Sequence, residues 1–227
     1  MTNFTYQEIA RMIDHALLHP ALTLDEMDVG IQTALEYQVA SVCILPFYMK
    51  RCARLSKSSG VKASTTIGFP HGSNATPVKF EEARHALEDG CEEIDFVVNI
   101  SQVLSGNWDY VRTEIAGLID LAHGRAQKAK VIFENCYLNE AQKIRLCEIC
   151  SELDADWVKS STGFGSGGAT VEDIRLMRKH SASNVMVKAA GGIRDLDTLL
   201  AMRAAGATRI GSSSTAAILE ECKRRGM

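Results

Sequence analysis

Two lysines lie where apolar, strand-like segments end, and small residues and glycine follow both. Lys159 stands in "DWVKSSTG" and Lys188 in "VMVKAAGG". A lone lysine in a strand is usually explained by a side chain that reaches solvent or by a salt bridge. If adjacent parallel strands bring these two lysines together, the nearby cation and the poor solvation both disfavour protonation. The repeated pattern therefore predicts a free amine on Lys159 that attacks a carbonyl carbon.

Aspartates supply the proton transfers that such an amine requires. Asp95, in "EIDFVV", alternates with Ile94 and Phe96, so its side chain faces the opposite side of the strand. A carboxylate there would hold Lys188 charged and relay protons, directly or through water. The alternative is a structural ion pair with a buried lysine. Asp14, in "RMIDH", follows the same logic, although this segment is also compatible with a turn.

Further residues are expected to line or support the same site. Cys43, in "SVCIL", is a small residue without a base partner evident in the sequence. Lys130 and Glu134 bracket the segment "KVIFE" with the same parity, so partners in the interior are expected for both, with Glu134 only supporting the site. Ser160 and Thr162, in the turn after the first lysine, are expected to line it.

Alternating strands and helices must position these residues. The candidate strands are "RMIDH" (11–15), "SVCIL" (41–45), "VKASTTI" (61–67), "EIDFVV" (93–98), "KVIFE" (130–134), "DWVKS" (156–160), "NVMVKA" (184–189) and "TRIGS" (208–212). Capping residues Thr23, Asn139 and Thr170 mark helix starts, as does Thr76 with Pro77 at the first helical position. The alternation predicts one domain over 1–227, a single (β/α)8 TIM barrel in the α/β class, with catalytic groups at the carboxyl ends of strands. An open doubly wound sheet is the alternative.

Glycine and hydroxyl residues dominate the loops after the last strands. Glycine lets the backbone approach an anion closely, and helix N-termini direct amide groups and a positive dipole end toward it. Barrels often bind phosphate after the seventh and eighth strands, where Gly191, Gly192, Ser213 and Ser214 fall. A substrate with a phosphate group is therefore expected.

A competing interpretation rests on the spacing of Gly163, Gly165 and Gly168, which matches a dinucleotide loop. That loop belongs in the first strand-to-helix turn of an open sheet and expects an acidic residue about 20 positions later. Lys188 and Ala189 stand at that distance, and the loop lies late in the chain. The sequence favours the phosphate site over a dinucleotide site.

The composition is that of an ordinary globular protein. The 227 residues are 46% hydrophobic and 23% charged, and 25 Lys and Arg against 28 Asp and Glu give a net charge of -3. Because no long basic run is present, no nucleic-acid partner is expected. No stretch of about 18 apolar residues and no leader-like start are seen, so no membrane association and a cytoplasmic location are expected.

The cysteines point to a reducing compartment. They are seven in number, scattered, and mostly embedded in apolar segments, as expected for reduced thiols in a core. Cys147 and Cys150 form a C-x-x-C pair, but the second pair or histidine pair that zinc requires does not follow. We therefore expect no metal site.

Ordered motifs along nearly the whole chain resemble the deoxyribose-phosphate aldolase family, whose members are class I aldolases built on a (β/α)8 barrel. The motifs are "IDHALLHP", "SVCILP", "TTIGFPHG", "EEIDFVVNI", "KVIFEN", "DWVKSSTGFGSGGAT", "VKAAGGIRD" and "ATRIGSSS". The resemblance implies that Lys159 forms a Schiff base, that Lys188 assists it and that Asp95 relays protons. Asp14 matches the aspartate of the family's D-H motif.

The resemblance also implies the substrate and the absence of a cofactor. Family phosphate contacts map onto Gly163, Gly192, Ser213 and Ser214, with Gly191 adjacent. The implied reaction is reversible cleavage of 2-deoxy-D-ribose 5-phosphate to D-glyceraldehyde 3-phosphate and acetaldehyde, with no metal or organic cofactor.

Two positions depart from the family pattern. Ser160 stands where threonine is usual, and Phe164 stands where some members have a lysine, which removes a charge from the phosphate site. The remaining alternatives are a Schiff-base aldolase with another phosphosugar or aldehyde preference, a nicotinamide oxidoreductase and a non-catalytic phosphosugar-binding barrel. The expected assembly of the protein is a homodimer.

Overall fold

The computed structural model describes residues 4–227, in which parallel strands form a barrel and helices surround it. The strands are β1 (Ile13–Leu17), β2 (Ser41–Ile44), β3 (Lys62–Ile67), β4 (Glu93–Val97), β5 (Lys128–Ile132), β6 (Trp157–Lys159), β7 (Met186–Ala190) and β8 (Arg209–Ser212). The α-helices are α1 (Tyr6–Ala10), α2 (Leu24–Glu36), α3 (Met49–Ser56), α4 (Thr76–Glu88), α5 (Ile100–Leu104), α6 (Trp108–His123), α7 (Glu140–Glu152), α8 (Val171–His180), α9 (Leu196–Ala204) and α10 (Thr215–Arg224). Short 3₁₀ helices at Pro46–Tyr48 and Asn135–Tyr137 follow β2 and β5.

The strands pair in chain order from β1 to β8, and β8 pairs with β1 to close the ring. Every pairing is parallel, because each helical connection returns the chain to the same end of the next strand. The predicted (β/α)8 TIM barrel is confirmed, and the open doubly wound alternative is wrong. In this described part of the chain, no helix combines the length and apolar character needed to cross a bilayer.

Two strands are displaced from their predicted positions. The first was expected at 11–15 and lies at Ile13–Leu17, and the fifth was expected at 130–134 and lies at Lys128–Ile132. Glu134 explains the second difference, because its φ of 57° is left-handed and cannot belong to a strand. The predicted pairing of Glu134 inside the barrel is therefore wrong.

The capping residues mark helix starts as predicted, with one exception. The side chains of Thr23, Asn139 and Thr170 each accept a hydrogen bond from the backbone amide three residues later. In α4 the N-cap is instead Ala75, which places Pro77 at the second helical position. The hydroxyl of Thr76 is not a cap, because it donates to a glutamate of α6.

The strand register decides which side chains share the barrel interior. Paired residues of neighbouring parallel strands point to the same face of the sheet, and successive residues alternate between faces. Asp95 pairs with Lys130, and Lys188 pairs with both Lys159 and Arg209, so the charged positions of five strands fall on the inner face. The alternate positions are fully buried and apolar and pack against the helices: Val42, Ile94, Val131, Val158, Val187 and Ile210.

Candidate active site

A cavity of about 560 Å³ opens at the carboxyl ends of the strands. Its lining includes nine of the residues predicted from the sequence, namely Asp14, Cys43, Lys159, Thr162, Gly163, Lys188, Gly191, Gly192 and Ser213. The other predicted residues lie behind this lining, and each contacts a residue that belongs to it: Asp95, Lys130, Glu134, Ser160 and Ser214. The predicted residues thus meet at one end of the barrel.

Lys159 is the last residue of β6, and its side chain points into the barrel at the base of the cavity. The residue is 2% exposed, and its Nζ lies 2.8 Å from Asp95 Oδ2. Burial lowers the pKa of Lys159, and the ammonium of Lys188 lowers it further, while the Asp95 carboxylate opposes both effects. The net direction favours a free amine, as the sequence predicts.

Asp95 joins the lysines of three strands. Its Oδ1 accepts from Lys130 Nζ at 2.7 Å, and its Oδ2 accepts from Lys159 at 2.8 Å and from Lys188 at 2.6 Å. Burial alone would raise the pKa of Asp95, but the three ammonium groups lower it well below its ordinary value. Asp95 is therefore ionised and within proton-transfer distance of both lysines of the cavity.

Lys188 differs from Lys159 because it has a second carboxylate neighbour. Its Nζ lies 2.5 Å from Asp14 Oδ2 and 2.6 Å from Asp95 Oδ2. Burial alone would lower the pKa of Lys188, but these two carboxylates raise it above its ordinary value. Two adjacent lysines in the same cavity thus have pKa values displaced in opposite directions, which suits one to be a nucleophile and the other an acid.

A floor of charged residues below the cavity includes Glu93 and Arg209, which sequence reasoning did not select. Glu93 Oε2 lies 2.7 Å from Lys130 Nζ and 2.9 Å from the Arg209 guanidinium, which also lies 2.5 Å from Asp14 Oδ1. A signal was present for both, because Glu93 has the same strand parity as Asp95 and Arg209 stands in the predicted strand "TRIGS".

Over residues 4–227, this buried network holds four cations and three anions. The cations are Lys130, Lys159, Lys188 and Arg209, and the anions are Asp14, Glu93 and Asp95. The excess is one positive charge when all seven groups are ionised. Since an unbalanced charge is unfavourable in a poorly solvated interior, the network is best balanced when one lysine is neutral.

The turn after β6 is held by hydrogen bonds to its backbone and hydroxyl groups. The Glu134 carboxylate accepts from the amide of Thr162 at 3.2 Å and also from its hydroxyl. Ser160 Oγ accepts from the amide of Ala190 at 3.2 Å, which ties the turn to the end of β7. Glu134 therefore supports the site from outside the barrel interior, and the Ser160 hydroxyl has a structural partner.

The predicted phosphate residues surround the side of the cavity formed by β6, β7 and β8. Gly163, Gly191 and Gly192 have φ values of 88°, 88° and 81°, which glycine adopts without strain. Ser214 is the N-cap of α10, so the first amides of that helix lie at the mouth. Arg194 also lines the cavity and was missed, although it stands in the quoted motif "VKAAGGIRD".

Cys43 lies in the lining of the cavity. Cys43 is 2% exposed, and burial raises the pKa of its thiol, so it lines the cavity as a neutral group. Among the residues from Phe4 onward, no group of three or more His, Cys, Asp or Glu side chains is placed to hold a metal ion.

The loop with Gly163, Gly165 and Gly168 follows β6 of a closed barrel, not the first strand of an open sheet.

Comparisons with known proteins relate nearly the whole chain to aldolases. A sequence model of the DeoC/LacD family of aldolases matches residues 9–221. A deoxyribose-phosphate aldolase from Rhodopirellula baltica is 61% identical over 225 residues, which are 99% of this chain and 93% of that protein. The solved structure of an aldolase called QR15 has a TM-score of 0.91 at 39% identity, covering 96% of this chain and 97% of its own. A deoxyribose phosphate aldolase from Aeropyrum pernix, described as having a unique tetrameric structure, has a TM-score of 0.90 at 30% identity, over 96% of this chain and 92% of its own.

Proposed function

The chain belongs to the DeoC/LacD family of aldolases, and we propose that it cleaves its substrate through a Schiff base on Lys159. Its function is that of a deoxyribose-phosphate aldolase, an enzyme that splits 2-deoxy-D-ribose 5-phosphate reversibly into D-glyceraldehyde 3-phosphate and acetaldehyde. The observation that carries the residue assignment is the buried amine of Lys159, whose pKa is lowered and which lines the cavity.

In the proposed first half of the reaction, the free amine of Lys159 adds to the C1 aldehyde of the open-chain sugar. Loss of water then gives an iminium, which acts as an electron sink. The charged Lys188 lies beside this amine and is suited to donate the proton with which the hydroxyl leaves as water.

In the second half, a base removes the proton of the C3 hydroxyl and the C2–C3 bond breaks. The bonding electrons move to the iminium to form an enamine, and C3 becomes the aldehyde of D-glyceraldehyde 3-phosphate. In this proposal Asp95 accepts that proton, directly or through water, and the lysines that it contacts share it. Protonation of the enamine at C2 and hydrolysis of the resulting iminium release acetaldehyde and regenerate the amine.

We place the phosphate of the substrate at Gly163, Gly191, Gly192, Ser213 and Ser214. The N-terminus of α10 supports this position with its amide groups and its dipole. Arg194 supports it with a positive charge, because it lines the same cavity. That charge offsets the absence of a lysine at position 164, where this chain has phenylalanine.

Replacing Arg194 with alanine is expected to lower kcat/KM for the phosphorylated sugar by about 10- to 150-fold, since a hydrogen bond to a charged group is worth roughly 1.5–3 kcal/mol. Unphosphorylated 2-deoxyribose has no phosphate for Arg194 to contact, so kcat/KM for this sugar is expected to stay unchanged. Steady-state assays with both sugars measure the ratio. Arg175→Ala removes an exposed arginine of α8 as a control. An equal loss for both sugars would contradict a phosphate contact.

The assignment of Lys159 is tested by trapping the intermediate. The protein is incubated with acetaldehyde and borohydride, and the modified peptide is mapped by mass spectrometry. We expect one reduced adduct, on Lys159, and stoichiometric formation of the two products from 2-deoxy-D-ribose 5-phosphate in a parallel assay. An aldolase with another phosphosugar preference would form the adduct but cleave a different sugar faster. Absence of an adduct, or an adduct spread over several lysines, would refute the assignment.

We also propose that the protein forms a homodimer and is located in the cytoplasm. Exposed apolar side chains, including Phe47 at 90% and Val29 at 67% exposure, support contact between copies, for which a homodimer is the simplest closed arrangement. Light scattering measures the number of copies, and a tetramer, the assembly described for the A. pernix protein, would replace the dimer. The seven free cysteines, six of them buried, support a reducing compartment such as the cytoplasm.

A further inference from the structure

Arg209 lies at the start of β8, on the floor below the cavity and outside its lining. Its guanidinium is 2.5 Å from Asp14 Oδ1 and 2.9 Å from Glu93 Oε2, and it lies over the Trp157 ring at 4.7 Å from the centroid. Only 11% of the side chain is exposed. Arg209 and Glu93 therefore act on the cavity through the residues that they contact.

Arg209 is the one cation of this network, within the described chain, that cannot become neutral. Lysine can lose its proton when buried, whereas the guanidinium of arginine stays protonated in proteins. Burial alone would lower the pKa of Arg209, but Asp14 and Glu93 raise it further above its ordinary value. The excess positive charge of the network must then be relieved at a lysine.

The geometry distinguishes the lysines by their carboxylate neighbours. Lys130 lies within 4 Å of three carboxylates, at 2.7 Å from both Glu93 and Asp95 and at 3.6 Å from Asp14. Lys188 contacts two carboxylates, at 2.5 Å and 2.6 Å. Lys159 contacts only Asp95 among residues 4–227, at 2.8 Å. Since each contact stabilises the protonated form, Lys159 loses its proton most readily.

We propose that Arg209 is a positioning residue whose permanent charge occupies Asp14 and Glu93 and thereby leaves Lys159 as the neutral amine of the network. Without Arg209, Asp14 would be shared only between Lys188 and Lys130, and Glu93 would be left to Lys130. Three lysines would then face three carboxylates, and all three lysines would stay protonated. The inference rests on the proposed function, because it explains how the Schiff-base lysine is kept reactive.

Six strands contribute charged or titratable side chains to the inner face of the barrel around Lys159. They are Asp14 of β1, Cys43 of β2, Glu93 and Asp95 of β4, Lys130 of β5, Lys188 of β7 and Arg209 of β8. The thiol of Cys43 adds no charge, because burial raises its pKa. The pH dependence of the amine is therefore set by carboxylates, lysines and one arginine.

The test compares how iminium trapping depends on pH in charge variants of the full chain, using acetaldehyde and cyanoborohydride with mass spectrometry of the intact protein. Arg209→Gln is expected to move the midpoint of trapping to higher pH by about one unit, the effect of one nearby charge. Glu93→Gln, which raises the positive excess to two, is expected to move it to lower pH. Arg209→Lys keeps a positive charge between the carboxylates of Asp14 and Glu93 and is expected to retain the wild-type midpoint.

The double variant Arg209→Gln with Glu93→Gln restores an excess of one positive charge, so its midpoint is expected to return toward that of the wild type. If Arg209→Gln alone does not fold, Glu93→Gln and the double variant still carry the test. Unmoved midpoints in the folded single variants, while the wild type forms its adduct, would overturn this inference and leave the proposed function intact. A wild-type protein that forms no adduct would instead overturn the proposed function.

Discussion

Lys159→Met is expected to lower kcat/KM for 2-deoxy-D-ribose 5-phosphate by about 10⁴-fold or more, because the amine that bonds to the aldehyde carbon is removed. The adduct with acetaldehyde and borohydride is expected to disappear with it. The substitution leaves three cations facing three anions in the network, so thermal unfolding is expected near the wild-type temperature. Steady-state kinetics, intact mass and thermal unfolding measure the three quantities.

Lys57→Met is the matched control for this prediction. Lys57 is an exposed lysine between α3 and β3, on the amino-terminal face of the barrel and opposite the cavity. Its loss is expected to change neither turnover nor the adduct. If Lys159→Met formed a wild-type amount of adduct on Lys188, the assignment of the two lysines would have to be exchanged.

Asp95→Asn is expected to lower kcat by about 10³-fold, the range of a general acid–base contribution, while the iminium can still be trapped. The amide cannot accept the proton of the C3 hydroxyl, so carbon–carbon cleavage slows. Loss of one anion also lowers the pKa of Lys159, because Asp95 is the group that raises it most. Trapping with acetaldehyde at neutral pH is therefore expected at a rate at least equal to that of the wild type.

Glu93→Gln separates the proton transfer of Asp95 from its charge. Both variants remove one anion from the same network, but Glu93 contacts Lys130 and Arg209 on the floor and does not reach the two lysines of the cavity within 4 Å. We expect this variant to shift the pH dependence and to keep most of its turnover. If both variants lost kcat equally, Asp95 would contribute only charge, and a different base would remove the C3 proton.

Much of the fold was predictable because its signals are local. Alternation of apolar and polar residues, such as Ile94, Asp95 and Phe96, identifies a strand from a few neighbouring residues. The caps Thr23 and Asn139 mark helix starts for the same reason. The prediction failed where a tertiary contact decided the conformation, as at Glu134, whose left-handed backbone places its carboxylate against the amide of the turn after β6.

The sequence predicted which residues belong to the site better than it predicted the contacts between them. The strand parity and the glycine loops identified Lys159, Lys188 and Asp95 as residues that share one end of the barrel, and the register confirmed that proximity. Glu93 and Arg209 carry the same parity signal, but they stand early in their strands, away from the carboxyl ends where catalytic groups are expected. Only the closed ring, in which β8 lies beside β1, brings Arg209 to Asp14.

The amino-acid sequence by itself determined the strands and helices, the presence of two lysines at adjacent strand ends, and the residue types around them. The tertiary structure decided the carboxylate contacts that distinguish these two lysines. That difference depends on one carboxylate contact for Lys159 against two for Lys188, and thus on distances of a few ångströms between residues of different strands. The energy of a charge in a poorly solvated interior changes steeply over such distances. The difference between the two lysines therefore follows from the register and closure of the barrel and not from the order of residues in one strand.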